Sequence, residues 1–277
     1  MIKSKFPFVE TINVWGGEEN VPPAYGSVFL CIKPRGKLFL SSSEKDVISR
    51  EILGDKKIVT TSIQYKDPSY LYVIPTIKTF FNAEELKITP STLVTSIRSA
   101  IREYNSMYLN MFDGSFKYSK FQRYVDGSDF AVTNSLISIK ARRLVDIQYN
   151  INADIFVDVG NKIKPGTVTS TIFTTVGAIQ EVSFVDVQIP KTTKGDIWTS
   201  YTDGETVFRV KKVGTIDYDR GLIDIKRVFV SSSPTNFFID FIPQENDINT
   251  VRNQIVLMDE KSAAVSVVAN AKVKRTQ

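Results

Sequence analysis

The sequence predicts an α+β chain. A ferredoxin-like split βαβ domain over residues 27–149 is followed by a β-rich domain, sandwich or barrel-like, over 150–277, and an irregular segment at 1–26 precedes both. Three observations carry this. Between 27 and 147 the apolar period switches in the order strand, helix, strand, strand, helix, short helix, strand. From 148 onward no long helical period appears, and short β-rich runs follow one another between turn signals. Apolar residues make up 42% and charged residues 23% of the 277, so a sizeable core is possible without a metal or a disulfide.

Residues 1–13 are short and mixed, and read as a tail or as the end of something larger. Residues 14–26 do not read as regular structure. Gly16-Gly17 is a flexible pair, Pro22-Pro23 removes two backbone donors, and Asn20 and Gly26 are turn residues. The apolar run 27–33 then has the length of one buried strand. Pro34-Arg35-Gly36 makes a turn, and Ser41-Ser42-Ser43 offers N-caps for a helix over 44–53. Val47, Ile48, Ile52 and Leu53 form its apolar stripe. Glu44 and Asp46 sit in the first turn, where the helix dipole favours them, and Gly54 follows the helix end.

Residues 57–65 read as a strand, and Asp67-Pro68-Ser69 as a turn. A longer strand over 70–81 is apolar on both faces. Pro75 interrupts it and predicts an edge position or a bulge. Thr89 as cap and Pro90 at the first position open the best helix of the chain. Its stripe is Leu93, Ile97, Ile101, Tyr104 and Tyr108, with Arg98, Arg102 and Glu103 off it. After Asp113-Gly114 a short helix is expected over 117–125, ended by Asp126-Gly127, and then a strand over 133–147. The β-rich end carries runs at 155–159, 168–175, 182–189, 206–213, 223–230, 237–242, 255–258 and 264–269. Lys164-Pro165-Gly166, Asp203-Gly204 and Arg220-Gly221 are among the turns between them.

Composition narrows the chemistry. Cys31 is the one cysteine, so no intrachain disulfide or cysteine-based zinc site is possible, and its place in an apolar run reads as a buried, inert thiol. The chain has no histidine, which removes the Ser-His-Asp triad, the Cys-His pair and every histidine metal site. Lys, Tyr and carboxylates remain as acids and bases. A net charge of +5 is mild for this length. The basic groups, Lys56-Lys57, Lys140 with Arg142-Arg143, Lys211-Lys212, Lys226-Arg227 and Lys272 with Lys274-Arg275, are spread out with acids between them. They read as a solvated surface rather than a nucleic-acid face. No signal peptide is visible, and no apolar run approaches the length of a membrane span.

Four features of the sequence bear on function. Gly16-Gly17 is no phosphate loop, because Glu18-Glu19 follow and no Gly-Lys-Ser/Thr does. Asp217, Asp219 and Asp224 form the densest acidic cluster. Their spacing does not fit an EF-hand loop, and a β-hairpin turning over 218–221, with Ile216, Ile223 and Ile225 on one face, accounts for them. The same acids would serve a carbohydrate-binding or hydrolysing module, which is the alternative reading of the β-rich region. Tyr104, Tyr108, Tyr118, Phe112, Phe116 and Phe121 lie beside Lys117, Lys120 and Arg123. Their helical spacing makes most of them core rather than stacking platforms, with Lys120 and Arg123 on an ordinary exposed face. Trp15, among Val14, Val21 and Tyr25, suits two roles, capping the chain's own core or anchoring a partner.

The stretch 14–34, VWGGEENVPPAYGSVFLCIKP, resembles the baseplate J-like wedge proteins of contractile-tailed phages, in their T-even-type branch. In that family a Trp-Gly-Gly-Glu segment leads through prolines and a Tyr-Gly into a strand of the form Val-Phe-x-x-Ile-x-Pro. Residues 67–73 (DPSYLYV), 101–105 (IREYN), 116–121 (FKYSKF), 214–218 (GTIDY) with Gly221, and 252–255 (RNQI) are also similar. The resemblance implies a non-enzymatic structural subunit of the virion's tail baseplate, assembled in the host cytoplasm. It implies no cofactor or metal, no nucleic acid and no membrane. It implies dimers that assemble into a ring around the hub, contacts with other wedge proteins, and rearrangement on sheath contraction. Trp15, Glu18 and Tyr25 of the opening motif are its candidate interaction residues. Family members usually carry a large region before this motif. With 14 residues ahead of Trp15, the resemblance implies a C-terminal portion or a shortened relative.

Overall fold

The computed structural model describes residues 2–19, 23–55, 62–176, 180–233 and 236–270. Asn20, Val21 and Pro22 of the opening motif, the start of the strand expected at 57–65, Lys56-Lys57 and the basic group from Lys272 to Arg275 lie outside the described residues.

The described residues build two sheets. The smaller is formed by β1 (Val9–Gly16), β2 (Ser27–Pro34) and β3 (Ser62–Tyr65), in that order. The short helix α1 (Ile2–Lys5) precedes it, and α2 (Ser42–Asp55) connects β2 to β3. β1 pairs antiparallel with β2 and β3 pairs parallel with it, so β2–α2–β3 is a βαβ unit. Residues 9–16, within the segment expected to be irregular, form a regular strand. Val9, Thr11, Ile12 and Val14 are β-branched, and with β2 as partner they form a full strand that ends at Gly16. Lys33, inside β2, is buried and answered by an ion pair with Glu10. In α2 Ile48 is fully buried, but Val47, expected beside it, is exposed.

The larger sheet begins with β4 (Ser69–Phe81), α3 (Pro90–Tyr108), α4 (Tyr118–Asp126) and β5 (Val132–Leu144). It continues through β6 (Asn152–Asp158), β7 (Thr169–Ser170), β8 (Ser183–Gln188), β9 (Lys194–Asp203), β10 (Thr206–Asp217), β11 (Leu222–Phe229) and β12 (Phe238–Phe241). It ends with β13 (Gln254–Met258) and β14 (Ala264–Ala269). The ladder runs β13-β4-β5-β12-β7-β8-β9-β10-β11-β6, with β14 also on β4. The expected ferredoxin-like single sheet is thus not what forms. Its four strands are divided, β2 and β3 in one sheet and β4 and β5 in the other. Strands from the β-rich end take the free sides of β4 and β5. Hydrogen bonding therefore crosses the expected boundary at 149/150. Among the described residues the large sheet is an open ladder and closes into no barrel.

The edge position or bulge expected at Pro75 does not form, since Pro75 stands opposite Ile139 in regular register and the β4–β5 shift falls between Phe80 and Phe81. β4 is interior, paired with β5 on one side and with two short parallel strands on the other. β13 reaches Val73 and β14 starts at Thr76, so the proline with no N–H falls in the gap between them. Helix α3 opens as the sequence predicts, with Thr89 accepting from the Thr92 N–H at 3.2 Å and Pro90 following. Leu93, Ile97, Ile101 and Tyr104 are buried against the sheet. Phe121 and Val125 do the same from α4. Tyr104, Phe116 and Phe121 form a mutually edge-on or tilted aromatic cluster. A second one, Phe173, Phe184 and Phe237, fills the β-rich end.

Strand β9 has no counterpart among the predicted runs, because Lys194, Gly195 and Asp196 at its start look like a loop. Gly195 is needed there. A Cβ at this position would lie 2.4 Å from the Tyr218 hydroxyl and 2.7 Å from the Val187 carbonyl. Tyr218 in turn donates to Asp186 at 2.7 Å, and Asp186 also accepts from the N–H groups of Gly166 and Val168. That buried carboxylate joins β8 to the loop before β7 and to the β10–β11 turn.

Candidate functional site

The opening motif lies where the two sheets meet. Trp15, near the end of β1, faces Phe29 directly across the ladder, and the two rings stack with centroids 5.7 Å apart and planes 13° apart. With Cys31 of β2, Tyr70 of β4, Phe112 and Ile255 of β13 they form one buried cluster. It therefore contains residues of both sheets. Polar contacts run alongside. Asn13 donates to the Arg252 carbonyl at 2.6 Å, the Tyr70 hydroxyl to the Leu38 carbonyl at 2.6 Å, and Asn110 to Glu10 at 3.3 Å. The ion pair Lys45–Asp67, at 2.8 Å, links α2 to the segment entering β4.

Of the three interaction residues expected from the motif, Trp15 is turned inward, with 6% of its surface exposed. Its indole N–H has no partner among the described residues. Glu18 and Tyr25 are turned outward, Tyr25 with 81% of its surface exposed. The structure thus separates one anchor from two solvent-facing groups. The Gly-Gly pair explains how the chain makes this turn. Gly16 ends the strand, and Gly17 begins a short 3-10 turn over Gly17–Glu19. A Cβ on Gly17 would lie 1.8 Å from the Ala24 carbonyl oxygen, and the Gly17 carbonyl accepts from the Ala24 N–H at 2.8 Å. The second glycine allows the close approach that closes the 17–24 loop. Burial pushes the Cys31 thiol up to about 12, so this cysteine is a packing residue.

The acidic cluster resolves into a hairpin. Ile216 pairs with Ile223 and Gly214 with Ile225 across β10 and β11. Asp217 accepts from the Arg220 N–H in the turn, and Asp224 pairs with Lys226 at 2.8 Å. Asp219 lies apart, at a shallow cleft of about 250 Å³ with Glu245 and Asp247. Gly221 meets the Asn161 carbonyl so closely that a Cβ would sit 2.1 Å from it, and its φ is +66°. The aromatic segment is interior at Tyr104, Phe112, Phe116 and Phe121, and the Lys120 ammonium lies 3.5 Å from the centre of the Tyr108 ring.

Two charged groups escaped the sequence reading. Arg142 and Arg143 looked like solvated surface, but they flank a buried acid and a strand end. Asp240 of β12 takes a two-point contact from Arg142, at 2.7 and 2.9 Å, and a third from Lys140 at 2.9 Å. Burial works against its charge, but the Arg142 and Lys140 hydrogen bonds outweigh that and hold the carboxyl below the ordinary value. Arg143 donates to the Tyr70 carbonyl at 3.0 Å and to the Ser69 hydroxyl, and burial pulls its guanidinium down to about 10. The adjacent-arginine pattern carries no such signal, because the answering Asp240 lies 98 residues away.

Two family descriptions match this architecture in order. Residues 1–63 match baseplate structural protein gp6, C-terminal domain I, and residues 69–144 match C-terminal domain III of the same protein. The first covers α1, β1, β2 and α2, and reaches into β3. The second begins and ends with the first residue of β4 and the last of β5. The chain belongs with the gp6-like baseplate wedge proteins, in their C-terminal region. It is similar to baseplate wedge protein gp6 of Enterobacteria phage T4, 26% identical over 148 residues. That alignment takes in 53% of this chain and 22% of the relative, so the chain spans only about a fifth of that protein.

Proposed function

We propose that this chain is a structural subunit of the tail baseplate wedge. It assembles as dimers into a ring around the hub, contacts other wedge proteins, and changes its contacts when the sheath contracts. Its place is the virion's tail baseplate, after assembly in the host cytoplasm. The observation that carries this reading is the co-linear match of residues 1–63 and 69–144 to two gp6 C-terminal domains, falling on the two sheets. The Trp15 cluster supports it, since a wedge subunit that passes on movement needs its parts packed through a defined core.

In this reading Trp15 acts from inside. It fixes the loop that presents Glu18 and Tyr25 to a neighbouring subunit. Light scattering over a concentration series, alone and with the other wedge proteins of the same virion, tests the assembly. Oligomers and incorporation are expected. A chain that stays a monomer and joins no wedge overturns the reading. Tyr25→Ala should weaken incorporation and leave the melting temperature within about 1 °C, because a surface residue contributes little to folding. Unchanged incorporation removes Tyr25 from the interface.

A further inference from the structure

Strand β10 is paired on both sides for only part of its length. Its ladder with β9 runs from Thr206 to Asp217, but its ladder with β11 covers only Gly214 to Asp217. Beyond that point β11 bends away. Its pairing with β6 shifts register between Ile225 and Val228, Arg227 takes a φ of +50°, and the Arg227 N–H goes to Asp154 at 2.9 Å. Among the described residues, the outer edge of β10 over 206–213 therefore has no strand beside it. Where β10 and β11 part, a cleft of about 500 Å³ opens, lined by Val210, Lys211, Val213, Arg227, Val228 and Phe229.

The residues on this edge are not those of a purely solvated strand. Val207, Phe208 and Val210 are all exposed, and Phe208 stacks on Tyr201 of β9 at 5.2 Å. Arg209, Lys211 and Arg227 have no carboxylate within ion-pair distance among the described residues, whereas neighbouring Lys212 is paired with Asp196 at 2.7 Å. A strand edge with no strand beside it, here broken by register shifts between Arg209 and Lys211 and between Lys212 and Gly214, accepts one kind of ligand well, an extended polypeptide. The charges choose which. A second copy of this edge would set cations against cations, which disfavours pairing. An acid-bearing strand would answer Arg209, Lys211 and Arg227 and cover Val207 and Val210.

We propose that the outer edge of β10, over 206–213, takes up an extended, acid-bearing segment of a neighbouring wedge subunit. The word wedge rests on the function proposed above, and the edge geometry does not. Two arms keep them apart. In the first, the full chain is mixed with a ten-residue peptide alternating valine and glutamate, and amide exchange is followed. Exchange over 206–213 should slow, the valine-lysine counterpart should have no effect, and the double variant Arg209→Glu/Lys211→Glu should bind the acidic peptide roughly tenfold more weakly. In the second, exchange is measured in wedges that have incorporated the chain, and the same segment should be protected.

Three results overturn the inference. These are no slowing at 206–213 in either arm, slowing that grows with the chain's own concentration without peptide, or equal binding of both peptides. Loss of incorporation with peptide protection intact would instead remove the wedge assignment and leave the acidic-strand edge. The exposed position of both substituted residues makes misfolding of the variant easy to recognise, since its melting temperature should match the parent.

Discussion

Trp15 and Phe29 lie face to face across the β1–β2 ladder, at 5.7 Å and 13°, and Ile255 from the far end of the chain shares their cluster. This one stack therefore ties the small sheet to the large one. Trp15→Ala should cost about 3–5 kcal/mol, the usual range for removing a large buried aromatic. Trp15→Phe keeps a ring over Phe29 and removes a buried N–H that has no partner among the described residues, so it should cost less than half as much. Urea denaturation of the two variants checks this. Equal midpoints for Trp15→Ala and the parent would show that Trp15 is not a core residue.

The two glycines of the motif should behave differently. At Gly16 an added Cβ meets only the Glu18 side chain, 3.6 Å away, which is ordinary contact. At Gly17 it meets the Ala24 carbonyl at 1.8 Å, and backbone must move. Gly17→Ala is expected to destabilise by about 1–3 kcal/mol, in line with overpacked sites. Gly16→Ala should stay within about 0.5 kcal/mol. Thermal melts of the pair provide the check, and comparable losses at both positions would refute the close-approach account.

The contrast between what the sequence shows and what it hides has a physical pattern. Local signals were readable. Thr89-Pro90 caps α3 as expected, and the Ile216/Ile223 hairpin forms with its turn over 218–221. Partner choice was not readable. Whether β4 pairs with β3 or with β13 and β14 is decided by contacts nearly two hundred residues apart, which no window of sequence contains. Val14-Trp15-Gly16 looks irregular because the Gly16-Gly17 pair dominates locally, but pairing with β2 carries the strand through Gly16. The inward turn of Trp15 was undecidable for the same reason, since the residues that bury it, Tyr70, Phe112 and Ile255, come from elsewhere.

Asp240 should give the chain an acid limb. Its folded-state carboxyl lies below the ordinary value, so its contribution is fully present above the unfolded value of about 3.9 and is lost as pH falls through the folded one. Asp240→Asn takes from Lys140 its carboxylate and leaves Arg142 with only the longer contact to Asp259, at 3.5 Å, beside a mostly buried amide. It should cost about 2–3 kcal/mol at pH 7, as lost hydrogen bonds to charged groups do. At pH 3 the parent has begun to lose the same contribution, so the gap between parent and variant should narrow. Urea midpoints at pH 7 and pH 3 measure both. A gap that stays constant would place the acid sensitivity elsewhere.

A chain ending at residue 149 tests how the two sheets depend on each other. It keeps every element from α1 to β5 but loses β6 to β14, among them β12, β13 and β14, which pair with β4 and β5. β4 would then have no parallel partners, and β5 would lose Asp240 against Arg142. Ile239, Phe241, Ile255, Val256 and Met258 are all buried in the full chain and would be missing. Each large aliphatic or aromatic lost from a core costs about 2–5 kcal/mol, and a domain's whole stability is about 5–15 kcal/mol. The sum exceeds the margin. The shortened chain should therefore show no cooperative melt and should bind a hydrophobic dye at neutral pH, whereas the full chain should melt in one step with little dye binding. A sharp transition in the fragment, within a few degrees of the parent, would mean that residues 1–149 fold independently and that β12–β14 are added onto a finished core.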